Sequence, residues 1–145
     1  MRVVLQVVEK ASVEVENKII GKINKGYLLL VGIFESDNEE KVIKLAEKIS
    51  KLRVFPDENG KTNLSLKDVG GSILSVSQFT LCANLVGSNR PSFSEAAKRE
   101  KAISLYELFN DELKNKGFEV QMGEFGADMK VNLLNDGPVT LILDS

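Results

Sequence analysis

The sequence predicts an α+β fold, with largely antiparallel β-sheets and two main helices packed on one side. Three observations lead there. Short segments rich in Val and Ile outnumber helical segments by about three to one. They do not alternate regularly with helices, as a doubly wound parallel sheet would require. Only two stretches, near 36–52 and 94–116, repeat apolar residues at helical spacing. No linker, low-complexity stretch or repeat interrupts the 145 residues, so 1–145 reads as a single domain.

In chain order, 2–8, 11–16 and 18–23 interleave β-branched and polar residues and read as short strands, with Gly21 and Gly26 as turns or bulges. Residues 27–33 are continuously apolar, the pattern of a strand covered on both faces. A helix follows. Ser36 or Asp37 can cap it, each with a Glu three residues on, and Val42, Leu45, Ala46, Ile49 and Leu52 form its apolar face. A strand at 52–55 closes in the turn Pro56-Asp57-Glu58-Asn59-Gly60. The central strand is expected over 72–81. After a loop with Gly87, Asn89 and Pro91, the second helix is expected over 94–116, burying Ala102, Leu105, Tyr106, Phe109 and Leu113 and stopping at Gly117. Apolar segments at 118–122, 129–134 and 138–143 complete the chain, the last a liability if left bare at a sheet edge. Pairing in a homodimer would cover it.

Composition excludes several classes. A net charge of −2 gives no global basic field for a long stretch of nucleic acid, although a nucleic-acid end needs few phosphate contacts. The most basic stretch, with Arg90, Lys98, Arg99 and Lys101, is diluted by Glu95 and Glu100. The one cysteine, Cys82, has apolar neighbours, reads as a small buried hydrophobe and fits a reducing compartment. Gln6 and Glu9 interrupt the apolar start, so no signal peptide is expected, and no segment reaches the roughly 20 apolar residues of a membrane span. A cytoplasmic protein is expected. With no histidine, neither a Ser-His nor a Cys-His relay can operate, and without a cysteine cluster a zinc centre is not expected.

Two motifs carry the chemistry. Ser77-Gln78-Phe79-Thr80-Leu81 places hydroxyls and a carboxamide at the end of an apolar run. Two readings stand: sheet hydroxyls satisfied by their neighbours, or the rim of a site whose backbone amides after Gln78 lack ladder partners and face a developing oxyanion. Alternation turns Gln78 away from Ser77, with Phe79 packing. Asn135-Asp136-Gly137-Pro138-Val139-Thr140 places Gly-Pro before the final apolar segment. It reads either as a common turn or as a cis step whose successive carbonyls point the same way and grip an ammonium group.

Taken together, these motifs resemble the D-aminoacyl-tRNA deacylases over nearly the whole chain. Ala11-Ser12-Val13, Gly70-Gly71-Ser72, Arg90-Pro91-Ser92-Phe93 and Phe125-Gly126-Ala127-Asp128-Met129 join the two motifs in carrying the resemblance. It implies a homodimer with active sites at the subunit interface and the 3′ end of aminoacyl-tRNA as partner, with neither metal nor organic cofactor. One subunit offers Ser77, Gln78, Phe79 and Thr80; the other inserts Gly137 and Pro138, in the cis form, and excludes L-substituents. D-aminoacyl esters and glycyl esters are then hydrolysed, a chiral proofreading step in translation. Phe125 matches the residue that stacks on the terminal adenine, the alternative being a core cover beside Gly126. Ala102 matches a small residue near that end of the pocket. Arg90 either meets phosphate or braces its loop, bracing being the expectation.

The resemblance favours a mechanism assisted by the 2′-hydroxyl of the terminal ribose, with the Phe79 and Thr80 amides as oxyanion donors. The alternative, a Thr80 nucleophile, lacks an adjoining base. Two other readings stand beside the enzyme: a dimeric module that binds tRNA ends without turnover, and a hydrolase of small D-amino-acid esters. Val7 departs from the family, which commonly carries an arginine there to hold the Gly-Pro element. The bracing must then come from elsewhere.

Overall fold

The computed structural model describes residues 1–145. Its spine is β1 (Arg2–Val15), a 14-residue strand paired along both edges. One edge takes β3 (Gly26–Gly32) over its first half and β2 (Lys18–Ile23) over its second, both antiparallel. The other takes β8 (Lys130–Asp144), antiparallel from Arg2↔Asp144 to Glu14↔Lys130. The expected separate strands at 2–8 and 11–16, and at 129–134 and 138–143, are thus continuous. What divides them in sequence is irregular pairing rather than a break. Around Val8 the β1–β8 register slips, leaving Glu9 and Lys10 exposed. Between Gln6↔Thr140 and Val8↔Asn135, residues 136–139 loop out of β8.

The slip also switches which face of β1 is buried. Val3, Leu5 and Val7 join the larger core beneath the helices, whereas Val8, Ala11 and Val13 join a second cluster with Ile23, Leu28, Leu74 and Val76. β3 is covered on both faces as its apolar run requires: Tyr27, Leu29 and Val31 face one core and Leu28 the other. β6 (Ser72–Ser77) lies parallel to β3, and β7 (Val120–Met122) parallel to β6. The main sheet therefore runs β2-β1-β3-β6-β7, mixed at one end, although most of its pairing is antiparallel. β4 (Arg53–Pro56) pairs with β5 (Thr62–Ser65), a strand the sequence pattern does not reveal. Asp57 organises the turn by accepting from the Asn59 and Lys61 amides at 2.9 and 3.0 Å.

The helices are α1 (Glu39–Lys51) and α2 (Arg99–Asn115), and both bury the apolar faces their spacing predicts, except that Leu52 lies just past the end of α1. The cap of α1 is Asn38, which accepts from the Lys41 amide at 3.0 Å, rather than Ser36 or Asp37. Asp37 is otherwise engaged: buried, it accepts from the Phe34 amide at 2.7 Å and from the amino group of Met1. α2 begins five residues later than its composition suggests. Residues 94–98 pair instead: Phe34 and Ala96 form a bridge, and the Ala97 amide donates to the Ile33 carbonyl at 2.9 Å. That late start sets Arg99 and Ala102 beside the ends of β3 and β6. Gly117, at φ +94°, ends the helix as expected. No helix is long and apolar enough to cross a membrane.

Candidate active site

β6 stops at Ser77, four residues earlier than its apolar run. The Gln78 amide makes the last ladder bond, 2.8 Å to the Val31 carbonyl, and the chain then winds into a 3-10 turn, Phe79–Cys82. In that turn the first internal bond is donated by Leu81 to the Gln78 carbonyl at 3.2 Å. The amides of Phe79 and Thr80 precede it and so have no acceptor within the turn. Both Ser77 and Gln78 border the space beyond the strand end, with the Gln78 carboxamide turned to the Thr80 hydroxyl.

That space is a cavity of about 550 Å³ at the carboxyl ends of the parallel strands β3 and β6. The start of α2 forms one wall and residues 125–129, with Val131 of β8, another. Five of the sequence-predicted residues line it: Ser77, Gln78, Phe79, Ala102 and Phe125. Its walls are mostly apolar, and its charged side chains are Arg99 and Asp128. No three His, Cys, Asp or Glu side chains converge in the chain so as to hold a metal ion.

Phe125 packs against Tyr106, the two rings tilted at 53° with centroids 6.0 Å apart. Tyr106 is fixed in turn by donating to the Ser75 carbonyl at 2.9 Å, and burial pushes its phenol pKa up. The Arg99 guanidinium lies over the Phe125 ring, 5.5 Å from its centroid. Gly126 makes room for it: a Cβ there would lie 2.5 Å from Arg99 Nη1, at a φ of +77° that disfavours any side chain. Phe79 is not packed into the core; it is 55% exposed and tilts against Phe93 with centroids 4.9 Å apart.

Three predicted residues do not line the cavity. Thr80 is exposed, and its hydroxyl accepts from Gln78 Nε2. Gly137 and Pro138, joined by a cis peptide bond, lie on the looped-out segment of β8 opposite Gln6 and Val8. Arg90 is exposed and its side chain has neither a hydrogen bond nor an ion pair, so it does not brace its loop; the Arg90 amide does, donating to Ser88 Oγ at 3.0 Å. Cys82 is buried, as its neighbours imply, and burial pushes its thiol pKa up to about 11.

Sequence reasoning missed two side chains. Arg99 reads as part of a diluted basic stretch, although its i, i+3 spacing from Ala102 puts both on one helix face. Asn135 is the brace that Val7 cannot provide. Its Nδ2 donates to the Val7 carbonyl at 2.8 Å and to the Val139 carbonyl at 3.0 Å, tying both ends of the 136–139 loop. Val7 contributes only this carbonyl, its side chain being buried in the core.

The family model described as D-Tyr-tRNA(Tyr) deacylase matches residues 4–144. A Lactobacillus gasseri protein named D-aminoacyl-tRNA deacylase is 61% identical over 144 residues, 99% of each chain. A protein of the same name from an Exiguobacterium species is 55% identical over 99% of this chain and 98% of its own. Among solved structures, one described as a c-Myc DNA unwinding element binding protein superposes with a TM-score of 0.94 at 39% identity, covering 100% of this chain and 99% of the other. A second, described as a probable eukaryotic D-amino acid tRNA deacylase, has a TM-score of 0.87 and covers 99% of this chain and 98% of its own. At 16% identity it speaks for the fold alone.

Proposed function

The chain belongs to the D-Tyr-tRNA(Tyr) deacylase family, and from that premise we propose that it hydrolyses the ester of D-aminoacyl-tRNA, releasing the D-amino acid and tRNA, with glycyl-tRNA also accepted. The observation that carries this reading is the cavity itself. It joins an aromatic shelf, Phe125, to the exposed start of a 3-10 turn, with no histidine or lysine in its wall.

The terminal adenine stacks on Phe125, which brings the ester to the Phe79–Thr80 turn. Water adds to the ester carbonyl carbon, and the negative charge that develops on the carbonyl oxygen is met by the Phe79 and Thr80 amides. The C–O3′ bond then breaks and the 3′-oxygen takes up a proton. The neighbouring 2′-hydroxyl, already oriented by the bound ribose, is the group placed to relay it. A Thr80 nucleophile is disfavoured because no base adjoins its hydroxyl: the chain has no histidine, and the carboxamide of Gln78, which donates to that hydroxyl, cannot take up its proton.

Rejection of L-aminoacyl esters is assigned to Gly137 and Pro138 of a second copy, in a homodimer of the 1–145 domain. Two features support this. The pair lies away from its own cavity, and β8 leaves Ile142 69% and Leu134 46% exposed, apolar surface of the kind a partner covers. The net charge of −2 does not favour binding duplex DNA, the activity in the name of one structural neighbour.

The test is incubation of catalytic amounts of the protein with D-tyrosyl-tRNA and L-tyrosyl-tRNA, following loss of the acyl group. Rapid loss of the D-form alone is expected. Loss of both forms would sink the exclusion role of Gly137 and Pro138. Loss of neither, from folded protein, would leave a module that binds tRNA ends without turnover.

A further inference from the structure

Arg99 is the one cation of the cavity wall, and the proposed hydrolysis gives it no role. It is exposed, and its side chain takes part in none of the chain's hydrogen bonds or ion pairs, so its five donors are free. Asp128 lines the same cavity, yet the two do not form an ion pair. The guanidinium is nonetheless held in place. It rests 5.5 Å from the centroid of Phe125, with Nη1 in the space that a side chain at Gly126 would fill. Its backbone is fixed as the first residue of α2, two residues after the Ala97 amide ties the chain to the Ile33 carbonyl.

A cation lying over one face of an aromatic ring, with no anion of its own, calls for an anion that arrives with whatever stacks on the ring's other face. A nucleoside stacked there carries one anion close by, the phosphate on its own 5′-oxygen. Arg99 suits it, since the guanidinium offers paired N–H donors to phosphate oxygens. We propose that Arg99 binds the phosphate on the 5′ side of the terminal nucleoside, so that Phe125 and Arg99 together grip one nucleotide. The residue would act in binding and registering the acceptor end, not in the chemical step. This role rests on the adenine stacking on Phe125, as the proposed function has it.

The probes are adenosine and 5′-AMP, each titrated against wild-type protein, Arg99→Gln and Arg99→Lys. Wild type should bind AMP about tenfold more tightly than adenosine, the order expected of one charge-assisted contact. Arg99→Gln should lose that preference while binding adenosine as before, which also shows that the variant is folded. Arg99→Lys should keep part of the preference. With D-tyrosyl-tRNA, the salt dependence of KM should fall by about one phosphate contact in Arg99→Gln, with kcat little changed.

The proposal is overturned if Arg99→Gln keeps the AMP preference, or if it weakens adenosine and AMP equally, which would place Arg99 on the base or in support of Phe125. It also fails if neither ligand binds a wild-type protein that hydrolyses D-tyrosyl-tRNA, and the deacylase reading then stands. An AMP preference that depends on Arg99, in a protein without deacylase activity, would have the opposite meaning: the phosphate site would hold and the enzyme reading fall.

Discussion

Asn135→Ala tests how a chain with Val7 holds its Gly137-Pro138 segment. The substitution removes a long contact accepted from the Thr140 hydroxyl at 3.5 Å and two donated bonds, at 2.8 Å to Val7 and 3.0 Å to Val139, from a half-buried position. At about 1 kcal/mol net for each of the two donated bonds, the loss is about 2 kcal/mol. For a domain of this size that corresponds to a fall in melting temperature of about 6 °C. If the loop loosens without wider unfolding, the same energy appears as lost discrimination, and rejection of L-tyrosyl-tRNA should weaken by at least about tenfold. Asn135→Asp sharpens the test. It keeps the shape but sets a carboxylate against two carbonyls where donors stood, so at neutral pH it should be worse than alanine. Thermal melts and the ratio of D- to L-tyrosyl-tRNA deacylation read both effects. An alanine variant that melts within about 1 °C of wild type with undiminished L-rejection would refute the brace. So would an aspartate variant no worse than alanine.

Thr80→Ala should deacylate D-tyrosyl-tRNA within about tenfold of wild type in single-turnover assays, since what its position supplies is a backbone amide. A fall of about a thousandfold in folded protein would instead give the hydroxyl a chemical part. Phe125→Ala should lose stacking of about 1–3 kcal/mol, read as a rise in the Kd for adenosine in folded protein, with some fall in melting temperature because the ring also packs against the core. An unchanged Kd would return Phe125 to a purely packing role. Cys82 gives a pH prediction. Its thiol is buried and its pKa is raised from 9.0 to about 11, so its contribution is complete below the unfolded-state value and is lost as pH climbs through the folded one. Stability should therefore decline between about pH 9 and 11, by roughly 2–3 kcal/mol from this group. Cys82→Ala should flatten that part of the denaturation profile, and an unaltered slope would count against the assignment.

Local pattern carried much of the site and little of its assembly. Ser77 and Phe79 are legible in the motif at the end of the apolar run, Ala102 and Phe125 as site residues only through the family resemblance, and the cavity does gather all four. The end of β6 is not legible. Leu81 continues the apolar run, but β3 offers no ladder partner beyond the Val31 carbonyl, so the chain turns at Gln78. The start of α2 is hidden for a similar reason. Residues 94–98 have ordinary helical composition, yet Ala96 and Ala97 find partners at Phe34 and Ile33, some 60 residues earlier in the chain. Asn135 reads as a turn residue until the β1–β8 register sets it against Val7. Each miss turns on a long-range hydrogen bond, made at Ala97 and Asn135 and lacking beyond Gln78, that overrides a local preference.

The same register bears on where selection takes place. Gly137 and Pro138 lie off the cavity of their own chain, yet the proposed function needs them inside one, so an intact site must combine the cavity of one copy with the loop of another. Two damaged chains can then repair each other. Phe125→Ala spoils a cavity but leaves a sound loop, whereas Asn135→Ala leaves the cavity sound and loosens the loop. In a mixed dimer, the Asn135→Ala cavity faces the intact loop of the Phe125→Ala chain, and one of the two sites is whole. Random pairing of equal amounts makes about half the dimers mixed, so about a quarter of all sites should hydrolyse D-tyrosyl-tRNA with wild-type rejection of the L-form. Co-expression of differently tagged chains, with two-step isolation of the mixed species, would enrich that fraction to half. If cavity and loop instead cooperate within one chain, no combination restores a strict site, and the mixed species would show only the separate defects of its parents.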